Sequence, residues 1–201
     1  MTSVTRGAGT GATVANSDGG SQAVWSNTSL ITADDGSYAT LQLSHFYGAR
    51  AYNYLKASNF GFSIGSDQQI DGIEVIIERQ RVSGGGFGVT PFIKDDEILI
   101  LNGDGSGGVG STNRSASAEW STSWTDVTFG SSSDSWGETW TPAKVNSSNF
   151  GVYIRCKGPS DPGGFASWSE YAYVDHVEIT IHHSDGGGGS TGNPAFLMFV
   201  D

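Results

Sequence analysis

Residues 174–181 read VDHVEITI, with apolar Val177, Ile179 and Ile181 at every second position and His176, Glu178 and Thr180 between them. Successive side chains of a strand point to opposite faces, so this alternation specifies a strand with one face buried and one wet. A helix would need its apolar residues three and four apart. The same period of two recurs in DGIEVIIERQ, through Ile73, Val75 and Ile77, and in FGFSI, through Phe60, Phe62 and Ile64. It recurs again in NFGVYIRCK, through Phe150, Val152, Ile154 and Cys156, and EILIL (97–101) is a short apolar run of strand length. AVWSN, YATLQLS and WTDVTFG are weaker candidates, and turn-forming runs such as NGDGSGG and GPSDPGG separate the segments. Helical signals are confined to single turns: TPAKVN, with Thr141 as N-cap and Pro142 in the first helical position, and YNYLKA. Many short strands with Gly-rich turns predict an all-β fold, a jelly-roll-like antiparallel β-sandwich.

A chain of 201 residues fits one domain and buries a substantial core without disulfides or metals. Residues 1–22 carry almost no bulky side chain and read as a Gly/Ser/Thr-rich N-terminal arm. Residues 23–183 form the β-sandwich domain, and 184–201 are a Gly linker followed by an apolar tail. The tail residues Phe196, Leu197, Met198, Phe199 and Val200 are candidates for contact with a neighbouring subunit's sheet edge or groove. The run GGGGS (186–190) also has the composition of an engineered linker.

A net charge of −11, with ten scattered Lys and Arg, excludes a phosphate-neutralising surface and so a nucleic-acid partner. The amino-terminal segment has no apolar core of a signal peptide, and AFLMFV (195–200) is far too short to span a bilayer. A chain made in a cytoplasm with no membrane partner is expected. The single cysteine, Cys156, falls on the apolar face of its strand and reads as a buried thiol.

Two heptapeptides nearly coincide, SNFGFSI at 58–64 and SNFGVYI at 148–154. IDGIEVII (70–77) and VDHVEITI (174–181) then align Asp71 with Asp175 and Glu74 with Glu178. The repeat predicts one strand–turn–strand unit used twice, with Phe60 and Phe150 buried at equivalent places.

Motifs of catalysis do not survive their context. GDGSGG (103–108) lacks the helix that a dinucleotide site needs, and GGSTG (188–192) lies in the glycine linker. His45, His176, His182 and His183 show no metal-ligand spacing. No enzyme activity and no cofactor are expected. ADDGSY (33–38) makes Asp34 and Asp35 weak calcium candidates, against the alternative of a solvated Asp-Gly turn. Trp120, Trp124, Trp136 and Trp140 crowd together, and Trp168, Tyr171 and Tyr173 follow. Aromatic faces stack on sugars or anchor protein interfaces, and Trp136 and Trp168 are the chosen partner-contact candidates, against the alternative of core and edge packing in the sandwich.

The order GSYATLQLS, LKASNFGFSI, IDGIEVIIER, DDEILI, SSSDSWGETWTPAKVNSSNFGVYI and AYVDHVEITIHH resembles a group of phage and prophage virion structural proteins. That resemblance spans about residues 38–183. It implies a jelly-roll sandwich and a non-enzymatic place in a bacteriophage particle, as a capsid decoration or tail-associated protein. The partners it implies are other copies of the chain and other virion proteins. The alternative is a carbohydrate-binding module for host surface glycan, with calcium assisting.

Overall fold

The computed structural model describes residues 1–16, 23–45, 52–87, 90, 92–104, 109–110, 112–159 and 167–186. Their strands are β1 (Thr2–Gly7), β2 (Thr10–Val14), β3 (Ala39–His45), β4 (Tyr54–Ser58) and β5 (Gln68–Phe87). Then come β6 (Lys94–Asn102), β7 (Thr125–Ser131), β8 (Phe150–Lys157) and β9 (Ser167–Asp185). They form two antiparallel sheets. One runs β1-β9-β5-β7 with β3 also paired to β9; the other runs β2-β4-β8-β6. β3 and β1 share one edge of β9 end to end, β3 along Trp168–Val174 and β1 along Glu178–His183.

The inward residues of both sheets merge into one core. Ile73, Val75, Ile77, Val177, Ile179 and Ile181 meet Leu55, Ile98, Ile100, Val152 and Ile154 there, all inaccessible to water. Each such side chain contributes about 1.5–3 kcal/mol through burial. One cation lies within this packing. Arg79 continues the inward series of β5 and pairs with buried Asp95, while its guanidinium lies 4.6 Å from the Trp120 ring. Asp95 also accepts from the Trp120 indole (2.8 Å) and the Ala116 amide (3.0 Å), so its buried carboxylate has several donors.

The amino-terminal segment is not an arm over residues 2–14. It gives β1 to one sheet and β2 to the other, and between them the Ala8 amide donates to Val177 O and the Gly9 amide to Ser58 O. Backbone pairing at a sheet edge needs no bulky side chain, so the poverty of apolar residues concealed these strands. YNYLKA is likewise not a helical turn; its alternation of buried Leu55 and Ala57 belongs to β4. The TPAKVN turn forms as expected: α1 (Pro142–Val145) starts at Thr141, whose hydroxyl accepts from the Lys144 amide. AVWSN makes only isolated bridges, Ala23 to Tyr52 and Ser26 to Thr40.

The two SNFG copies touch but are not equivalent. In the first, Asn59 (φ 61°) and Gly61 (φ 67°) are left-handed, and the chain leaves β4 as an unpaired segment. Asn and Gly are the residues that tolerate this conformation. In the second copy, Phe150 opens β8. Phe60 and Phe62 are buried all the same, with ring centroids 6.4 and 6.0 Å from Phe150.

The later part of the repeat is a real equivalence. β5 and β9 are neighbours, paired Ile73↔Ile181, Val75↔Ile179 and Ile77↔Val177, so the aligned segments face each other across a local two-fold. Register shifts fall at Asp71, between Ile70 and Gly72, and at Asp175, skipped between Val174 and His176. Both aligned aspartates are therefore bulge residues. The Asp175 bulge switches which face the alternation presents: Ala172 and Val174 point inward before it, Val177, Ile179 and Ile181 after it.

Candidate functional site

The outer face of the β1-β9-β5-β7 sheet carries two adjoining features, an aromatic row and an acidic cleft. Before its bulge, β9 turns Tyr171 and Tyr173 outward, flanked by Gln42 and Thr40 of β3 and by Val82 and Gln80 of β5. Tyr38, just before β3, packs at 4.4 Å on Tyr173. Trp124, just before β7, lies 5.5 Å from Tyr38 and 6.4 Å from Tyr173, and Tyr171 is 6.2 Å from Tyr173. All four rings are half-buried. The rings lie tilted by 31–51° to one another. Desolvation, with Tyr38 and Tyr171 beside it, holds the Tyr173 phenol above its ordinary range. It is therefore a neutral hydrogen-bonding hydroxyl at any physiological pH.

Beyond the bulge, a cleft of about 200 Å³ is lined by Asp34, Ile76, Glu78, Asp126, His176 and Glu178. Asp34, Glu78 and Asp175 each offer a carboxylate oxygen, and these oxygens lie within 4.8 Å of one another. Asp175 is 3% exposed; its Oδ2 accepts from the Gly36 amide at 2.9 Å, and its Oδ1 has no hydrogen-bond partner. Burial pushes the Asp175 carboxyl up, opposed by the Gly36 and Asp35 amides and reinforced by Asp34 and Asp35. Glu78 is raised by desolvation and by Asp34, Asp175 and Asp126, with His176 acting the other way.

The other sheet's outer face is more closed. Tyr54 and Tyr153 stack at 5.1 Å, but the Tyr54 hydroxyl is held by Glu97 and the Arg155 guanidinium lies 5.0 Å from its ring. Arg155 in turn reaches Asp96 (2.9 Å) and Glu97 (3.2 Å).

The expected contact residues fall elsewhere. Trp136 is fully buried; its indole donates to Ile73 O at 2.9 Å, over Gly130, whose φ of 80° and lack of a Cβ leave room for the ring. Trp168 is 3% exposed and packs its ring on Gly158. Both are core residues, not partner contacts. Of the calcium candidates, Asp34 enters the carboxylate cluster and Asp35 does not: its Oδ1 accepts from the Ser37 amide at 2.9 Å, closing the local turn. Phe196, Leu197, Met198, Phe199 and Val200 lie outside the described residues. Cys156 is buried, as expected.

Glu78, Asp175 and Tyr38 are absent from the sequence-derived site. The signal for Asp175 was the broken alternation between Val174 and Val177, which a continuous strand cannot show.

No protein-family model matches the chain, and a search of curated proteins gives no match. Among solved structures, the chain is similar to the CBM22-1 xylan-binding domain from Paenibacillus barcinonensis Xyn10C. The identity is 12% and the TM-score 0.40, over 89% of this chain and 93% of that one.

Proposed function

We propose that the chain is a non-catalytic carbohydrate-binding β-sandwich whose ligand lies along the outer face of the β1-β9-β5-β7 sheet. The observation that carries this reading is the contiguous row Tyr171–Tyr173–Tyr38–Trp124, half-exposed on rigid strands and their ends. Sugar rings present apolar C–H faces that stack on aromatic faces, and their hydroxyls need polar partners at the rim. The Tyr173 phenol and the exposed side chain of Gln42, opposite Tyr171, supply such partners. The weakly charged, Ser/Thr-rich composition suits a neutral ligand of this kind.

A glycan array followed by calorimetry on the bound class tests the reading. Binding that falls roughly tenfold or more in Tyr173→Ala and in Trp124→Ala, with unchanged circular dichroism, supports it. Binding to no glycan at millimolar concentration, or binding indifferent to both substitutions, contradicts it. The virion setting concerns where such a domain is mounted, with host surface glycan as its target, and the tail that would link copies lies outside the described residues.

A further inference from the structure

We infer that Asp34, Glu78 and Asp175 form a calcium site that fastens the 32–38 segment to the β9 bulge. The proposal is independent of the carbohydrate reading. Calcium takes oxygen ligands at about 2.3–2.6 Å, so two oxygens on one ion can be no more than roughly 5 Å apart. The three carboxylates meet that bound, with oxygens all within 4.8 Å. Second, Asp175 is 97% buried by its 3% exposure, and its Oδ1 has no hydrogen-bond partner. A buried carboxylate oxygen left unpaired is costly, and a cation is the partner that an all-acidic cluster lacks.

The surrounding charge agrees. Asp126 and Glu178 line the cleft with Asp34 and Glu78; among the described residues that line it His176 alone is basic, and none of the three carboxylates pairs with a described Lys or Arg. An all-oxygen, anionic and irregular ligand set suits calcium better than zinc, which prefers nitrogen and sulfur in a tetrahedron. Water fills the remaining positions.

The segment that supplies Asp34 also supplies the Gly36 amide to Asp175 and Tyr38 to the aromatic row. An ion held there fixes where Tyr38 stands. The bulge makes this possible, because the extra residue sets the Asp175 carboxylate beside Glu78 and Asp34.

The test is thermal unfolding and calorimetry of the EDTA-stripped full chain with added calcium chloride. At a hundredfold excess over the dissociation constant, the melting temperature rises by roughly 5–10 °C. Glu78→Gln, Asp34→Asn and Asp175→Asn each abolish the rise, and Asp35→Asn keeps it. Should Asp175→Asn fail to fold, the more exposed Asp34 and Glu78 variants decide. No binding heat and no shift in the wild-type chain overturns the site. A shift that survives the Asp34 and Glu78 substitutions, or is matched by equal magnesium, overturns it as well.

Discussion

Asp71 and Asp175 are the bulge residues at opposite corners of one β5–β9 ladder, which runs from Gly72↔His182 to Glu78↔His176 about the central pair Val75↔Ile179. They are related by the local two-fold that the sequence repeat encodes, yet their surroundings differ. Asp71 accepts from the Ser184 hydroxyl at 3.0 Å, whereas Asp175 is buried beneath the 32–38 segment. One repeated bulge therefore serves as a strand corner in one copy and brings a carboxylate to Asp34 and Glu78 in the other.

The bulge at Asp175 sets which face of β9 enters the core. Deleting Asp175 would reverse the alternation on one side of it, and turn either Ala172 and Val174 or Val177, Ile179 and Ile181 outward. Exposing the latter three, at about 1.5–3 kcal/mol each, rivals a whole domain's stability of roughly 5–15 kcal/mol. The deletion variant is expected to lack a cooperative thermal transition by circular dichroism. Substitution to Asn keeps the bulge and is expected to keep the transition.

The Arg79–Asp95 pair is held by Trp120 on one side and by the Phe129 ring, 5.4 Å from the guanidinium, on the other. Asp95→Ala strands a buried cation and is expected to cost about 3–5 kcal/mol in urea unfolding. A loss under about 1 kcal/mol would mean that water reaches Arg79.

Cys156 is buried, and desolvation, with Asp95 and Asp96 nearby, pushes its thiol up, with Arg79 opposing. The folded pKa lies above the unfolded one. The neutral thiol's contribution is therefore full below about pH 8.5, the unfolded value, and is lost as pH rises beyond it. Wild type is expected to lose stability faster than Cys156→Ala between about pH 8 and 11, measured by denaturant midpoint. The native thiol should also resist a disulfide-exchange reagent until the chain unfolds.

Trp136 holds a left-handed backbone (φ 54°), fixed by Asp134 Oδ1 accepting its amide at 2.8 Å and by the indole bond to Ile73. Trp136→Ala is expected to destabilise the fold by about 3–5 kcal/mol, read by urea denaturation. Ligand affinity of the variant that remains folded should be unchanged, which separates a core tryptophan from a binding one.

The sheet core was legible because its signal is local. Alternation through 73–77, 150–156 and 177–181 appears as paired strands with those residues buried, and it even carried Arg79 inward. β1 (TSVTRG) and β2 (TGATV) were hidden because edge strands with one valine each are held by backbone bonds that leave no apolar alternation. The Asp175 bulge also decides which aromatic residues of β9 are buried: extending the phase of Val177, Ile179 and Ile181 backward would put Tyr171 and Tyr173 inside and Trp168 outside, and the bulge inverts both. Asp34 and Tyr38 share the 32–38 segment, but Glu78 and Trp124 come from segments far from it in the chain, and only the sheet order brings them to one face.

The central claim is that the Tyr171–Tyr173–Tyr38–Trp124 row is a sugar-stacking platform. The most direct measurement is calorimetric titration of wild type and Tyr173→Ala with the best glycan from an array, beside melting curves of both. The expected result is a roughly tenfold or greater loss of affinity in Tyr173→Ala, with its cooperative transition intact. Equal affinity in the two folded proteins would place the ligand elsewhere and contradict the claim.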